Sequence, residues 1–188
     1  MTAWQNQPII RVRKGRYLFN FFINISAGVG GKCSMEGKRL TSYAMEELEC
    51  PKCGHKHSLK KYKVINVTEK AKLKEEIMKN RLYQFSCEEC EYMAPLTYDS
   101  LYVDSRRNIM IYMAPVMNAE IKAEIAELEQ EKGIDKRLVD NINDLKEKIM
   151  IADNHLDDRV IEIIKIMYID QMKKEMEDDT LLNILFDY

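Results

Sequence analysis

A chain of 188 residues with 46% apolar and 32% charged side chains has room for one ordinary domain or two small ones, and its composition excludes a disordered or fibrous protein. The net charge of −2 hides a gradient: residues 1–44 hold seven Lys/Arg against one acid, residues 45–115 twelve against eleven, and residues 116–188 ten against nineteen. An acidic final third would repel phosphates, which excludes nucleic-acid binding there.

The first stretch is basic from Arg11 to Arg16 and apolar from Tyr17 to Gly31. That order is signal-like, but Asn20 and Asn24 interrupt the apolar run, and it is too short to span a bilayer. Met45 opens Met-Glu-Glu-Leu-Glu-Cys-Pro-Lys-Cys, a natural start for a zinc ribbon. Residues 1–44 are therefore read as a non-native leader or disordered extension, and a cytoplasmic setting is expected.

Four of the five cysteines form two Cys-x-x-Cys pairs, Cys50/Cys53 and Cys87/Cys90, and the odd one is Cys33. Two residues between thiols let both sulfurs reach one metal. Pro51 presets its φ, and Gly54 can take the positive φ that such a turn demands. The second pair keeps the spacing without the proline or glycine. Four thiolates make a closed, structural Zn2+ site, and a redox pair would instead open a helix in a βαβ context that is missing here. His55 and His57 follow the first knuckle and could replace a cysteine, but they are expected at the surface, since four thiolates already fill the site. The 33 residues between Cys53 and Cys87 require a folded insert.

Within that insert, Leu59–Val67 is β-branched and predicts a strand. Thr68 is placed to cap a helix over Glu69–Lys79, with Leu73 and Ile77 on its buried face and Asn80 as its stop. Leu82–Ser86 predicts a strand leading to the second knuckle. Leu96–Val103 and Ile109–Met113 predict a hairpin around Asp104–Asn108. A module of about 70 residues needs a staple, and zinc contributes on the order of 10–16 kcal/mol to folding at comparable sites, so a chelator is expected to unfold residues 45–115.

Past Pro115 the period becomes helical. Ile121, Ile125 and Leu128 predict a helix ending at Gly133. Leu138, Ile142, Leu145 and Ile149 predict a second. Val160, Ile163, Ile164 and Met167 predict a third, whose apolar face Ile161, Ile166 and Ile169 widen. A helix that apolar is either buried or waits for a partner. His155, Asp157, Asp158 and Arg159 cluster at its start, where Asp suits an N-cap or first turn. Alternation places Tyr98 and Tyr102 on one face of the hairpin. The fold class is α+β: a small zinc-ribbon β module with an inserted helix (45–115), then an α-helical region (116–188).

In order along the chain, Cys50-Pro-Lys-Cys-Gly, Ile65-Asn-Val-Thr, Leu73-Lys, Cys87-x-x-Cys90, Leu101-Tyr-x-Asp104, Ile109-Met-Ile-Tyr-Met-Ala-Pro115, Glu147-Lys-Ile-Met-Ile and Leu156-Asp-Asp-Arg-Val-Ile-Glu162 resemble the bacterial CpXC proteins. The resemblance covers about residues 45 to 188. It departs from the family pattern at the second knuckle and at Val103, where relatives often carry His. Relatives also often continue beyond the point matching Tyr188, and Leu181–Tyr188 reads as the start of a further element in a truncated frame. The resemblance implies no activity.

The leading functional reading is a non-catalytic zinc-binding module with Cys50, Cys53, Cys87 and Cys90 as ligands. It would be a protein-interaction or regulatory protein, engaging a protein partner or a second copy through the apolar helices, with no membrane span. One alternative is an enzyme with a site near Tyr102/Asp104 or His155/Asp158. Another is a nucleic-acid-binding ribbon, for which Lys52, Lys56, Lys60, Lys61 and Lys63 supply a basic strip that nearby glutamates largely cancel.

Overall fold

The computed structural model describes residues 9–13, 39–176 and 183–187. Cys33, the apolar stretch from Tyr17 to Gly31, and Leu181, Leu182 and Tyr188 lie outside the described residues. The chain divides into two units, Gly30–Lys146, and Met1–Val29 with Glu147–Tyr188.

The strands are β1 (Ile9–Arg13), β2 (Ser42–Glu49), β3 (Lys56–Asn66), β4 (Gln84–Ser86), β5 (Met93–Pro95), β6 (Ser100–Asp104), β7 (Ile109–Met113), β8 (Asp135–Val139) and β9 (Asn183–Asp187). The helices are α1 (Lys72–Met78), α2 (Ala119–Glu129), α3 (Ile142–Asp153) and α4 (Asp158–Met176). Both a mixed sheet and helices are present, so the α+β class holds.

In the first unit a five-stranded sheet runs in the order β2-β3-β6-β7-β8. The β2–β3 and β6–β7 pairs are antiparallel, whereas β3–β6 and β7–β8 are parallel. Every residue of β6 and β7 is buried, which matches their continuous apolar runs, since alternation disappears when both faces of a strand are covered. On one face Leu101, Val103, Met110 and Tyr112 form a core with Ile121 and Leu128 of α2. Asn118 caps α2 by accepting a hydrogen bond from the Ile121 amide at 2.8 Å. The sheet thus continues past residue 115: Leu138, expected on a helix face, lies in β8 and packs beside that core. The sequence 135–139 gains a ladder against β7, and the helix begins only at Ile142. There Asn141 accepts from the amides of Asn143 and Asp144, each at 2.9 Å.

Leu73 and Ile77 are buried on α1, and Asn80 ends it with φ 63°. Thr68 does not cap it. Asn66 Oδ1 accepts from the amides of Thr68 and Glu69, and the Thr68 hydroxyl accepts from the Ser105 amide. The segment before β2 is tied to the same corner, because Asn66 Nδ2 donates to the Arg39 carbonyl at 2.8 Å and the Thr41 amide donates to Glu69 at 2.9 Å. A boundary at Met45 falls inside β2.

The second unit pairs β1 with β9 antiparallel, so residues 183–187 have a partner in Ile9–Arg13. Its described α3 and α4 residues share an ion-pair network. Lys165 donates to Glu147 at 2.9 and 3.1 Å and to Glu162 at 3.1 Å, and Lys148 bonds Asp158 at 2.7 Å and Glu162 at 2.5 Å. The stripe Val160, Ile163, Ile164 and Met167 is exposed, reaching 57% at Ile163 and 66% at Met167.

Candidate metal centre

Each cysteine pair occupies the turn of a β hairpin. Cys50 and Cys53 lie between β2 and β3, and Cys87 and Cys90 lie between β4 and β5. The two turns carry the same hydrogen bonds. The Cys50 amide donates to the His55 carbonyl at 2.9 Å, and the Gly54 amide donates to the Cys50 carbonyl at 2.8 Å. In the second turn the Cys87 amide donates to the Tyr92 carbonyl at 2.9 Å, and the Glu91 amide donates to the Cys87 carbonyl at 3.0 Å. Each turn needs a left-handed residue at its fourth amide. Gly54 supplies it with φ 72°, and Glu91 adopts φ 56° despite its side chain. The second knuckle therefore makes the shape of the first without a glycine.

The four sulfurs all lie within 4.8 Å of one another. Cys50–Cys90 and Cys53–Cys87 are each 3.6 Å apart. Zinc–thiolate bonds of about 2.3 Å at tetrahedral angles place sulfurs ~3.8 Å apart, so the cluster fits one such ion with little adjustment. Cys50 and Cys87 are 1% exposed and pack with Phe85, beside Leu48, Leu59 and Tyr92.

Electrostatics also favour a cation. Burial raises the Cys50 thiol pKa, but the amides of Cys53 and Lys52 outweigh it and hold the group near about 7. The His55 amide favours the Cys53 thiolate, yet burial and the neighbouring Cys90, Cys87 and Cys50 thiols push Cys53 up to about 12. Burial is the main cause that raises Cys90. Four sulfurs this close cannot all ionise unless positive charge sits among them.

The sequence profile described as CpXC protein matches residues 48–165, more than half of the chain. The chain belongs to the CpXC family. No curated protein and no solved structure matches it.

In this CpXC chain Tyr98, Tyr102, Asp104, His155, Asp157 and Asp158 do not join the cysteines. Tyr102 and Asp104 sit in β6, each 1% exposed. The Asp104 carboxylate accepts from the Arg106 amide at 3.0 Å and pairs with Lys74 at 3.7 Å, securing the β6–β7 turn. Tyr98 precedes β6, stacks on Tyr83 with centroids 4.8 Å apart, and donates to the Leu82 carbonyl at 2.7 Å. His155 lies in the α3–α4 turn with φ 54°. Asp157 accepts from the Arg159 amide at 3.0 Å, as an N-cap does, and Asp158 accepts from Lys148. In the lysine strip, Lys61 pairs with Glu46 at 2.6 Å, Lys60 lies 5.0 Å from the Tyr43 ring centre, and Lys52 donates to the Cys90 carbonyl.

His57 was expected at the surface. Its Nε2 instead lies 3.2 Å from Cys87 Sγ, and its ring meets Phe85 edge-on at 5.4 Å. The signal was the strand period: His57 and Leu59 are the half-buried positions of a stretch in which Lys56, Ser58 and Lys60 are exposed. No described helix is long and apolar enough to cross a membrane.

Proposed function

We propose that this CpXC chain is a non-catalytic zinc-binding module. Cys50, Cys53, Cys87 and Cys90 would hold one Zn2+ whose role is structural, and the protein would act by binding or regulating another protein. The observation that carries this reading is the four-sulfur cluster, in which Cys50 and Cys87 are buried, Cys90 is half-buried and Cys53 is exposed. Four thiolates leave no position for water or substrate, which is the mark of structural rather than catalytic zinc. The metal would join β4–β5, a two-stranded sheet too small to be stable alone, to the β2–β3 edge of the five-stranded sheet. Reduced thiols of this kind suit a cytoplasmic compartment.

The interaction half of the reading rests on α4. Its exposed stripe of Val160, Ile163, Ile164 and Met167 follows helical spacing and suits a hydrophobic partner surface. An enzymatic site near Asp104 fits less well, because that carboxylate is engaged by Lys74 and Arg106 beneath the β6–β7 turn.

The test is metal analysis of the purified full chain combined with affinity capture. About one zinc per chain is expected, with loss in Cys87→Ser. A captured partner should be lost in Ile163→Asp/Met167→Lys. A metal-free wild-type chain that refuses added zinc would overturn the zinc assignment. Identical capture by wild type and the α4 variant would overturn the interaction surface.

A further inference from the structure

We propose that His57 is a positioning residue of the metal centre, donating its Nε2–H to the Cys87 sulfur and so holding the second knuckle in its metal-binding shape. This rests on the zinc assignment proposed above. The distance of 3.2 Å is within reach of an N–H···S hydrogen bond. A metal-bound Cys87 is a thiolate and can only accept, so the proton must sit on Nε2.

The ring is held where it must be. It stands nearly perpendicular to Phe85, at 84° and 5.4 Å, and His55 flanks it at 4.7 Å. His57 belongs to β3, the strand that leaves the first knuckle, while Cys87 opens the second. The hydrogen bond therefore crosses from one hairpin to the other. It reaches the knuckle that has neither proline nor glycine and that holds Glu91 in a left-handed conformation. That turn has the least local reason to keep its shape, so an external anchor matters more there than at Cys50. Donation to a metal-bound thiolate is also charge-assisted, which strengthens the bond and draws charge from the sulfur.

Two substitutions separate the hydrogen bond from the packing. His57→Phe keeps an aromatic ring against Phe85 and removes the donor. His57→Gln loses the ring and keeps an N–H group at a similar reach. The readout is the rate of zinc release from the full chain to a colorimetric chelator, with circular dichroism to check folding. His57→Phe should release zinc about tenfold faster, the low end of what loss of such a partner costs, and His57→Gln should restore most of the wild-type rate. In the zinc-loaded wild type, nitrogen-15 NMR should show the Nε2–H tautomer.

Wild-type release from His57→Phe overturns the proposal, as does His57→Gln releasing as fast as His57→Phe. Where His57→Phe does not fold, an Nδ1–H tautomer in the wild type overturns it and an Nε2–H tautomer supports it. A wild type that holds one zinc while both variants match it removes only the role of His57. A wild type that binds no zinc removes the zinc assignment and this inference together.

Discussion

Gly54→Ala and Glu91→Gly should shift the metal centre in opposite directions, although both change the same position of the same turn. An L-residue in the left-handed region costs roughly 1–2 kcal/mol. Glycine loses roughly 0.5–1 kcal/mol more conformational freedom on folding than alanine does. At φ 72°, Gly54→Ala incurs the first cost and recovers the second, a net loss of about 0.5–1 kcal/mol. Sterics add little, since the nearest atom to the new Cβ is Glu49 Oε1 at an ordinary 3.5 Å. At φ 56°, Glu91→Gly reverses the balance and gains a similar amount, because the Glu91 side chain is exposed. Metal binding at four thiolates needs the folded knuckle, so each change should appear as a factor of about 2–5 in affinity for added zinc. Competition titration against a chelating dye measures it. Glu91→Gln serves as the control, removing the charge while retaining the side chain's conformational cost, and should change little. Weaker binding by Glu91→Gly, or wild-type affinity in Gly54→Ala, would refute the argument from the turn.

Metal removal should act locally, rather than unfold residues 45–115 together as the size of the module alone suggests, because β6 and β7 share a core with α2 that excludes the cysteines. The β3–β6 ladder spans only Val64–Asn66, and the cysteines pack in a cluster separate from the β6, β7 and α2 core. Chelation of the full chain should therefore expose the amides of Leu48, Leu59 and Phe85 to hydrogen exchange while Tyr102 and Ile111 stay protected, and collapse of all five together would contradict this. The α3–α4 network should confer a pH window. Burial opposes charge on Glu162, but Lys148 and Lys165 outweigh it and hold its carboxyl below the ordinary 4.5. Burial likewise opposes charge on Lys148, and Asp158 and Glu162 hold its ammonium above the ordinary 10.5. The Glu162 contribution is thus present above about 4.5 and lost as pH falls through its lower folded value, while that of Lys148 is present below about 10.5 and lost as pH rises through its higher folded value. Protection factors in α4, taken relative to the slower intrinsic exchange in acid, should fall below about pH 4.5 and fall less in Lys148→Met, with identical acid profiles counting against the network.

Local chemistry was enough to place the cysteine pairs, the Leu73/Ile77 face, the Asn80 stop and the β6–β7 hairpin, because each depends on spacing or on one residue's φ preference. Leu138 shows where such reasoning stops. Its apolar spacing to Ile142, Leu145 and Ile149 is helical, yet residues 135–139 complete a parallel ladder with β7, a long-range hydrogen-bonding gain that no local pattern encodes. The same holds for the second knuckle, whose turn lacks the residues that favour it and whose shape depends on what surrounds it. His57 and Cys87 stand 30 positions apart and meet at 3.2 Å only because two hairpins face each other across the sulfurs. The four cysteines could thus be singled out as a group from the chain alone, since thiols at that spacing have few other uses, and their sulfurs do meet. The partner of one of them needed the tertiary fold, because strand alternation marks His57 as half-buried but does not say what it faces.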